Sequence, residues 1–406
     1  MTLVNLSARS ILHALGDASE RWMDADYPPR VRTTENLIER TGYSAPVVEY
    51  ALDHLFSTIT ADGLNRSLVN ELGSISILDG FTARDGAPQA WAAPVGNVCI
   101  ISSRTTIGVA LVPATFALCT KNDVLVKDRE DGLVRAFFET LAEERDEFRL
   151  SAQAEIWDGP QDGKNIAQFD TVIAFGRDET LRDIRARCGS QARFSGYGAR
   201  ASAGYVSRED LCDETSANSV AVGAARDLLL YDTEGCLSLH VLFVERGGTL
   251  PAERFATLLA SAVERAAVEF PVGRREPATL ARLARARDLA AFRAASGSGR
   301  VYADDGCSHV IVFEPPAAEP PFFLPRMLGV VSVDSPQGAA AYLDRHGLAL
   351  EGFARRAVRP DVDRMALGCG AVRLTTFGEL QHPPVGGNHG GRPRIAEFVR
   401  WIDRES

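Results

Sequence analysis

A cysteine thiolate attacks carbonyl carbon readily, and among the seven cysteines of this chain Cys236 has the setting for that chemistry. It follows Gly235 and precedes Leu237-Ser238, and the patterns on its two sides differ. Upstream, Thr215 to Leu229 places apolar side chains at Ala217, Val220, Ala221, Ala224 and Leu228, the period of a helix. Downstream, Leu237 to Val244 is rich in strand formers. The thiol is therefore expected on a turn between a helix end and a strand start, where Gly235 lets a carbonyl come close. The plain alternative is a small buried hydrophobe, the usual state of a cysteine. His240 also has two readings: a Cys–His pair with Cys236, or a polar residue on the strand. The second is preferred because no third group that would orient the imidazole is visible.

Other chemistry-bearing patterns are weaker. Gly196-Tyr197-Gly198-Ala199-Arg200-Ala201 matches the dinucleotide fingerprint, but a strand-like stretch, Ala203 to Ser207, follows it where a helix should open. It reads as a glycine-rich crossover. The seven histidines, His382 and His389 among them, lack metal-ligand spacing, so no metal is expected. The odd, scattered cysteines never form Cys-x-x-Cys, which argues against a disulfide framework or a zinc site and for a reducing, cytoplasmic setting. The arginines of the 274–293 segment are a solvated helix face or a polyanion patch, and the interspersed acidic and alanine residues favour the former.

Composition sets the frame for these elements. With 406 residues, 45% hydrophobic and 24% charged, the chain can build two or three domains with real cores. A net charge of −10 disfavours nucleic acid, whose binding needs a basic surface. Met1 to Asp17 shows no signal-peptide pattern, and the most apolar stretch, Ile107 to Cys119, is too short to span a bilayer and holds Pro113. No membrane partner is expected.

Helices precede a repeat of strand and helix. Ser44 and Pro46 open a helix lined by Val47, Val48, Ala51, Leu52, Leu55 and Phe56, and turn dipeptides Asp79-Gly80 and Asp85-Gly86 break short β pieces before Trp91. Apolar runs at 98–101, 124–126 and 172–175 alternate with helical patterns at 105–120, 132–144 and 178–187, the signature of βαβ units in a doubly wound sheet. Ligands of such sheets lie beyond the carboxyl ends of the strands. Lys127, Arg129 and Glu130, with Gly176, Asp178 and Glu179, are therefore candidate cofactor contacts. After Cys236, a strand, helices at 252–269 and 279–295, strands at 310–313 and 330–333, and a helix at 336–345 form a second α/β unit; residues 395–402 read as a closing helix.

Together these pieces resemble the fatty acyl-CoA reductase family of bacterial bioluminescence aldehyde-supply systems, a branch of the aldehyde dehydrogenase superfamily. The motifs are Pro94-x-Gly96-Asn97-Val98, Thr120-Lys121-Asn122-x-Val124-Leu125-Val126-Lys127, Phe175-Gly176-x-Asp178-Glu179-Thr180-Leu181, Gly196-Tyr197-Gly198-x-Arg200-x-Ser202, Gly235-Cys236-Leu237-Ser238, and Gln381-x-Pro383-Pro384-Val385 leading to His389-Gly390-Gly391-Arg392. The resemblance implies an α/β aldehyde-dehydrogenase-like fold with two Rossmann-like domains: a cofactor domain over 1–230, a catalytic domain over 231–378, and a return of 379–406 to the cofactor domain. It implies Cys236 as nucleophile, Asn97 as the side chain that stabilises the oxyanion, and Lys127 on the adenosine ribose. A well-placed oxyanion donor contributes roughly 3 to 4 kcal/mol.

The chemistry so implied is reduction of an acyl thioester, from coenzyme A or a carrier protein, to an aldehyde through an S-acyl cysteine, with NADPH as the cofactor the family suggests. Glu130 would favour NADH, and Arg129 the 2′-phosphate of NADPH. Aldehyde-oxidising relatives carry a water-activating glutamate where this chain has Gly196, so hydrolysis of the acyl-enzyme is expected to be slow. Cys99 and Leu239 stand where the family usually has proline, beside the acyl pocket. A homo-oligomer is expected, and an acyl-protein synthetase is a candidate partner. Two rivals remain: an NAD(P)-dependent aldehyde dehydrogenase, and a non-catalytic acyl-holding component of a biosynthetic complex.

Overall fold

The computed structural model describes residues 2–84, 86–103, 106–129, 132–157, 165–315 and 323–405. The chain divides into two compact units, one of residues 1–41, 48–199 and 384–406, the other of 42–47 and 200–383.

In the first unit, strands β1 (Thr82–Arg84), β2 (Ala87–Pro94), β3 (Asn97–Ile101), β4 (Asp123–Lys127), β5 (Ala152–Glu155), β6 (Thr171–Phe175) and β7 (Arg193–Tyr197) follow a set of helices. Five of them form a parallel sheet in the order β5-β4-β3-β6-β7. The strands β3, β4 and β6 are apolar because both faces are covered, as their continuous hydrophobic runs require. The order reverses between β3 and β6, which leaves a crevice at their carboxyl ends. The helices Ala8–Met23, Ala45–Thr58 and Leu133–Glu144 pack around Trp22, fully buried, whose ring lies 4.8 Å from Phe56 and whose Nε1 donates to Thr140 Oγ1 at 3.0 Å.

The second unit holds β8 (Ala201–Val206), β9 (Leu239–Glu245), β10 (Arg300–Ala303), β11 (Val310–Glu314), β12 (Met327–Val333), β13 (Leu350–Arg355) and β14 (Arg373–Thr375). They form one sheet, β10-β11-β12-β9-β8-β13-β14, parallel except for β10 against β11. The helices Glu214–Leu229, Ala252–Glu269, Pro277–Arg293 and Pro336–Arg345 connect these strands as the periodicity predicts.

Three expectations change. The boundary between units falls at 199/200 rather than 230/231, because β8 hydrogen-bonds β9 and β13 and carries the following helix with it. The return begins at Pro384 rather than at 379. Residues 395–402 do not make a helix: a short 3-10 turn, Ala396–Phe398, leads into β15 (Val399–Arg404), which pairs antiparallel with β2. Cross-strand pairing with a ready edge outweighs the local helical pattern there. The helix expected over 105–120 spans Leu111–Cys119, and Thr105 lies outside the described residues.

Candidate active site

Cys236 sits on a tight turn, closed by the Ser238 N–H donating to Gly235 O at 3.0 Å, between the helix Glu214–Leu229 with its 3-10 extension Leu230–Thr233 and strand β9. The expected helix-to-strand corner is therefore present, and the sulfur-bearing residue is half-buried rather than walled in. The turn is held from below. Ser202 Oγ, on β8, donates to Cys236 O at 2.7 Å and accepts the Gly352 N–H of β13 at 2.9 Å. Gln381 Nε2 donates to Ser238 Oγ at 2.7 Å. The loop that carries Gln381 is fixed in turn by Asp227, a fully buried carboxylate that accepts the N–H groups of Gly378 at 2.7 Å and Leu380 at 3.0 Å. Burial pushes the Asp227 carboxyl up to about 7.

Burial, followed by the negative charge of Glu351, pushes the Cys236 thiol up to about 12; the local backbone at Cys236 and Leu237 and the Arg200 guanidinium oppose the rise. The resting group is thus a thiol, and attack on a carbonyl requires its proton to leave as the new bond forms. Glu351, buried on β13, faces Arg200 with Nε 3.6 Å from its carboxylate. The signal for Glu351 in the sequence is one charge inside the apolar run 348–354, which motif reasoning passes over. His240 does not complete a Cys–His pair: its Nδ1 accepts the Ser202 N–H at 3.3 Å, and burial lowers its imidazole to about 4, so it stays neutral.

The cofactor candidates gather in the first unit. Lys127 ends β4, half-buried, its Nζ 5.1 Å from the centre of the Trp157 ring. Arg129 follows two residues on, Gly176 directly follows β6, and Asp178 and Glu179 are exposed in the first turn of the helix Asp178–Arg187. Among the described residues, a side chain at Gly176 would meet the Thr180 side chain at 3.8 Å, an ordinary van der Waals contact. Asp178 and Glu179 also have a simpler role, since carboxylates stabilise a helix N-terminus. Glu130 lies outside the described residues.

Asn97 does not join this group. It begins β3, paired with Asp123, whereas Lys127 pairs with Ile101 at the far end. Four residues of strand, about 13 Å, separate the two ends. The polarity of the sheet puts Asn97 on the edge opposite the crevice, where its backbone N–H meets Asp170 Oδ2 at 2.8 Å. The motif around it has a structural reason instead. Gly96 takes φ 127°, a side chain there would strike Asp170, and Asn122 accepts the Gly96 N–H at 3.0 Å. The strand therefore places Asn97 at the amino end of β3, away from the carboxyl-end crevice of its own sheet.

At the carboxyl ends of β6 and β7 the rings of Phe175 and Tyr197 stack 5.1 Å apart, and His389 stacks on Tyr197 at 4.1 Å. Burial, with Arg394 nearby, lowers the His389 imidazole from 6.5 to about 3. The folded state keeps this ring neutral where the unfolded chain would protonate it. Its contribution is complete above pH 6.5 and is lost as pH falls toward 3. A His389→Phe variant keeps the stack and cannot take up the proton, so its melting temperature should fall less than that of the parent chain between pH 6.5 and about 4. Calorimetry across that range checks this; equal slopes would contradict it.

Residues 3–401 match the family model "Acyl-CoA reductase (LuxC)". The chain is similar to "Long-chain acyl-protein thioester reductase 2" of Photobacterium leiognathi, 23% identical over 59% of this chain and 50% of that protein. It is also similar to "Long-chain acyl-protein thioester reductase" of Aliivibrio fischeri, 23% identical over 66% of this chain and 56% of that one. The chain spans about half the length of these curated relatives. In three dimensions, the NAD-dependent benzaldehyde dehydrogenase of Corynebacterium glutamicum superposes with a TM-score of 0.68 at 15% identity, over 98% of this chain and 86% of that chain, which establishes an aldehyde-dehydrogenase-like α/β fold. Among the described residues no helix is long and apolar enough to cross a membrane.

Proposed function

Because this chain belongs to the acyl-CoA reductase (LuxC) family, we propose that it reduces an acyl thioester to an aldehyde, with Cys236 as the residue that carries the acyl group. The observation that carries this reading is the half-buried thiol on a turn fixed by the Ser202 hydroxyl and by the Ser238 N–H.

The thiol sulfur bonds to the thioester carbonyl carbon, the carbon–sulfur bond to the donor breaks, and the donor departs as a thiol that takes up the proton lost by Cys236. Glu351, ion-paired with Arg200, is a nearby carboxylate whose negative charge acts on that sulfur. We assign the backbone N–H groups of the Cys236 turn the role of oxyanion donors.

The residues of the first unit fit a reduced nicotinamide, since the crevice at the strand ends is flanked by a cation, Lys127, and by the bare backbone of Gly176. When bound, that cofactor supplies the hydride that converts the acyl group to an aldehyde. Lys127 would hold its ribose and Arg129 would favour a 2′-phosphate, hence NADPH over NADH. Lys127→Ala is expected to raise KM for the nicotinamide about tenfold or more, the worth of a hydrogen bond to a charged donor, while leaving thioester acylation of Cys236 unchanged. Steady-state and single-turnover rates on the same variant check this, and an unchanged KM would contradict it.

Gly196 supports reduction over oxidation. A Cβ built there would lie 2.9 Å from the Phe194 ring and 3.3 Å from Leu181, so a glutamate could not enter without moving both. A side chain at that position would require both neighbours to shift. The test is product analysis after incubation with a panel of acyl thioesters and NADPH or NADH. Aldehyde formed in step with nicotinamide oxidation supports the proposal. Free acid made rapidly from aldehyde and oxidised nicotinamide without added thiol points to an aldehyde dehydrogenase. Acylation without turnover points to an acyl-holding component.

A further inference from the structure

The three residues just before the Glu234-Gly235-Cys236 turn are all left-handed, and none is glycine: Tyr231 at φ 55°, Asp232 at φ 49° and Thr233 at φ 62°. Side chains with a Cβ avoid this region, and three in succession persist only where their surroundings over-determine them. Among the described residues Arg326 makes the closest side-chain contact to Asp232, with Arg275 3.9 Å from the same carboxylate and Tyr43 donating to Tyr231 O at 3.2 Å. Arg326, fully buried, donates Nε to Asp232 Oδ1 at 2.5 Å, its N–H lies 3.1 Å from Thr233 Oγ1 and 3.2 Å from Asp232 O, and its other nitrogens donate to Phe270 O at 2.8 Å and Pro271 O at 3.2 Å. Thr233 Oγ1 in turn donates to Leu228 O at 2.9 Å, which ties the segment back to the end of its helix.

We infer that the Arg326–Asp232 pair is a positioning device for the nucleophile: it holds the left-handed segment in its unfavourable backbone state and so fixes the direction in which the Cys236 thiol points. This rests on the reading of Cys236 as the acyl-accepting residue. The arrangement is specific to a planar, forked cation. The guanidinium bonds the Asp232 carboxylate through Nε while its two terminal nitrogens reach two consecutive carbonyls, at Phe270 and Pro271, and a lysine ammonium cannot reproduce that geometry. The pair joins three separate segments at the amino-terminal edge of the sheet: the residues before the Cys236 turn, the residues after the helix Ala252–Glu269, and the residue before β12. Without its side-chain bonds the segment keeps the backbone N–H contacts of Arg326, the Thr233–Leu228 bond and the Tyr43 bond to Tyr231 O, and the sulfur three residues beyond Thr233 shifts as the segment loosens.

Arg326→Lys and Asp232→Asn test this in the full chain. The measurements are the rate of Cys236 acylation by a thioester, the rate of its alkylation by iodoacetamide, the affinity for NADPH, and the melting temperature. A positioning role predicts acylation slowed at least thirtyfold, alkylation by the small untethered reagent unchanged or faster, and NADPH affinity within twofold of the parent. Acylation within threefold of the parent in a folded variant overturns the inference. A parallel fall in acylation, alkylation and NADPH affinity also overturns it, since that is the mark of a general structural defect. Asp232→Asn preserves volume and decides the matter if Arg326→Lys does not fold; if neither folds, the pair is a lock of the fold and the positioning role is overturned. Failure of the parent chain to acylate at Cys236 would instead remove the assignment of the nucleophile, so the two failures are distinct.

Discussion

Cys236→Ala is expected to abolish turnover, by about 10⁴-fold or more, because removal of a covalent nucleophile leaves only binding and electrostatic contributions. The loss should be confined to chemistry. The substituted side chain is half-buried at a turn whose hydrogen bonds run through backbone and through Ser202, Ser238 and Gln381, so the fold keeps its supports. The residues assigned to the nicotinamide, Lys127 and Gly176, belong to the other unit, so cofactor affinity should remain. Cys236→Ser should fail almost as completely, since a hydroxyl is a far weaker nucleophile than a thiol in the same place. Single-turnover assays with thioester and binding titrations with NADPH check both halves. Residual turnover above one part in about a hundred would mean that another group accepts the acyl chain.

The second large effect is expected from Ser202→Ala, although Ser202 is assigned no contact with substrate. Its hydroxyl gives its proton to Cys236 O at 2.7 Å and receives the Gly352 N–H at 2.9 Å, and the residue is fully buried. Its loss leaves a carbonyl and an N–H without partners, at a cost of about 1 to 3 kcal/mol for each. The turn that loses its anchor is the one that aims the thiol, and a displacement near 1 Å at a reacting atom can cost about a hundredfold in rate. The variant should therefore be less stable and acylate about ten- to a hundredfold more slowly. Ser202→Thr, which keeps the hydroxyl, should recover part of both. Denaturant melts and acylation rates measured on the two variants check this. An alanine variant as fast as the parent would show that the β8 anchor is dispensable.

The sequence was most informative where periodicity and chain direction agree. The alternation of apolar runs and helical stretches gave the strands at 98–101, 124–126 and 172–175 and the helices at 178–187 and 336–345 almost to the residue, because buried parallel strands and amphipathic helices each leave a regular pattern. The corner at Cys236 was visible for the same reason, at the change of period. At Asn97 the motif carries no information on which end of β3 it occupies; strand polarity puts it at the amino end. At 395–402 a helical pattern gave way to pairing with β2, a partner more than 300 residues away and therefore invisible to a local window. The supports of the thiol were also hidden. Ser202, Asp227, Arg326 and Glu351 lie far apart in the chain and are brought to one edge of the seven-stranded sheet only by its topology.

The most direct measurement is peptide-level mass spectrometry after the chain is mixed with an acyl thioester in the absence of nicotinamide, then chased with NADPH. The acyl mass should appear on the peptide that contains Cys236 and disappear on the chase with release of one equivalent of aldehyde. Acyl label on any other residue, or label on Cys236 that reduced nicotinamide does not discharge, would contradict the assignment of this sulfur as the acyl carrier of a reductase.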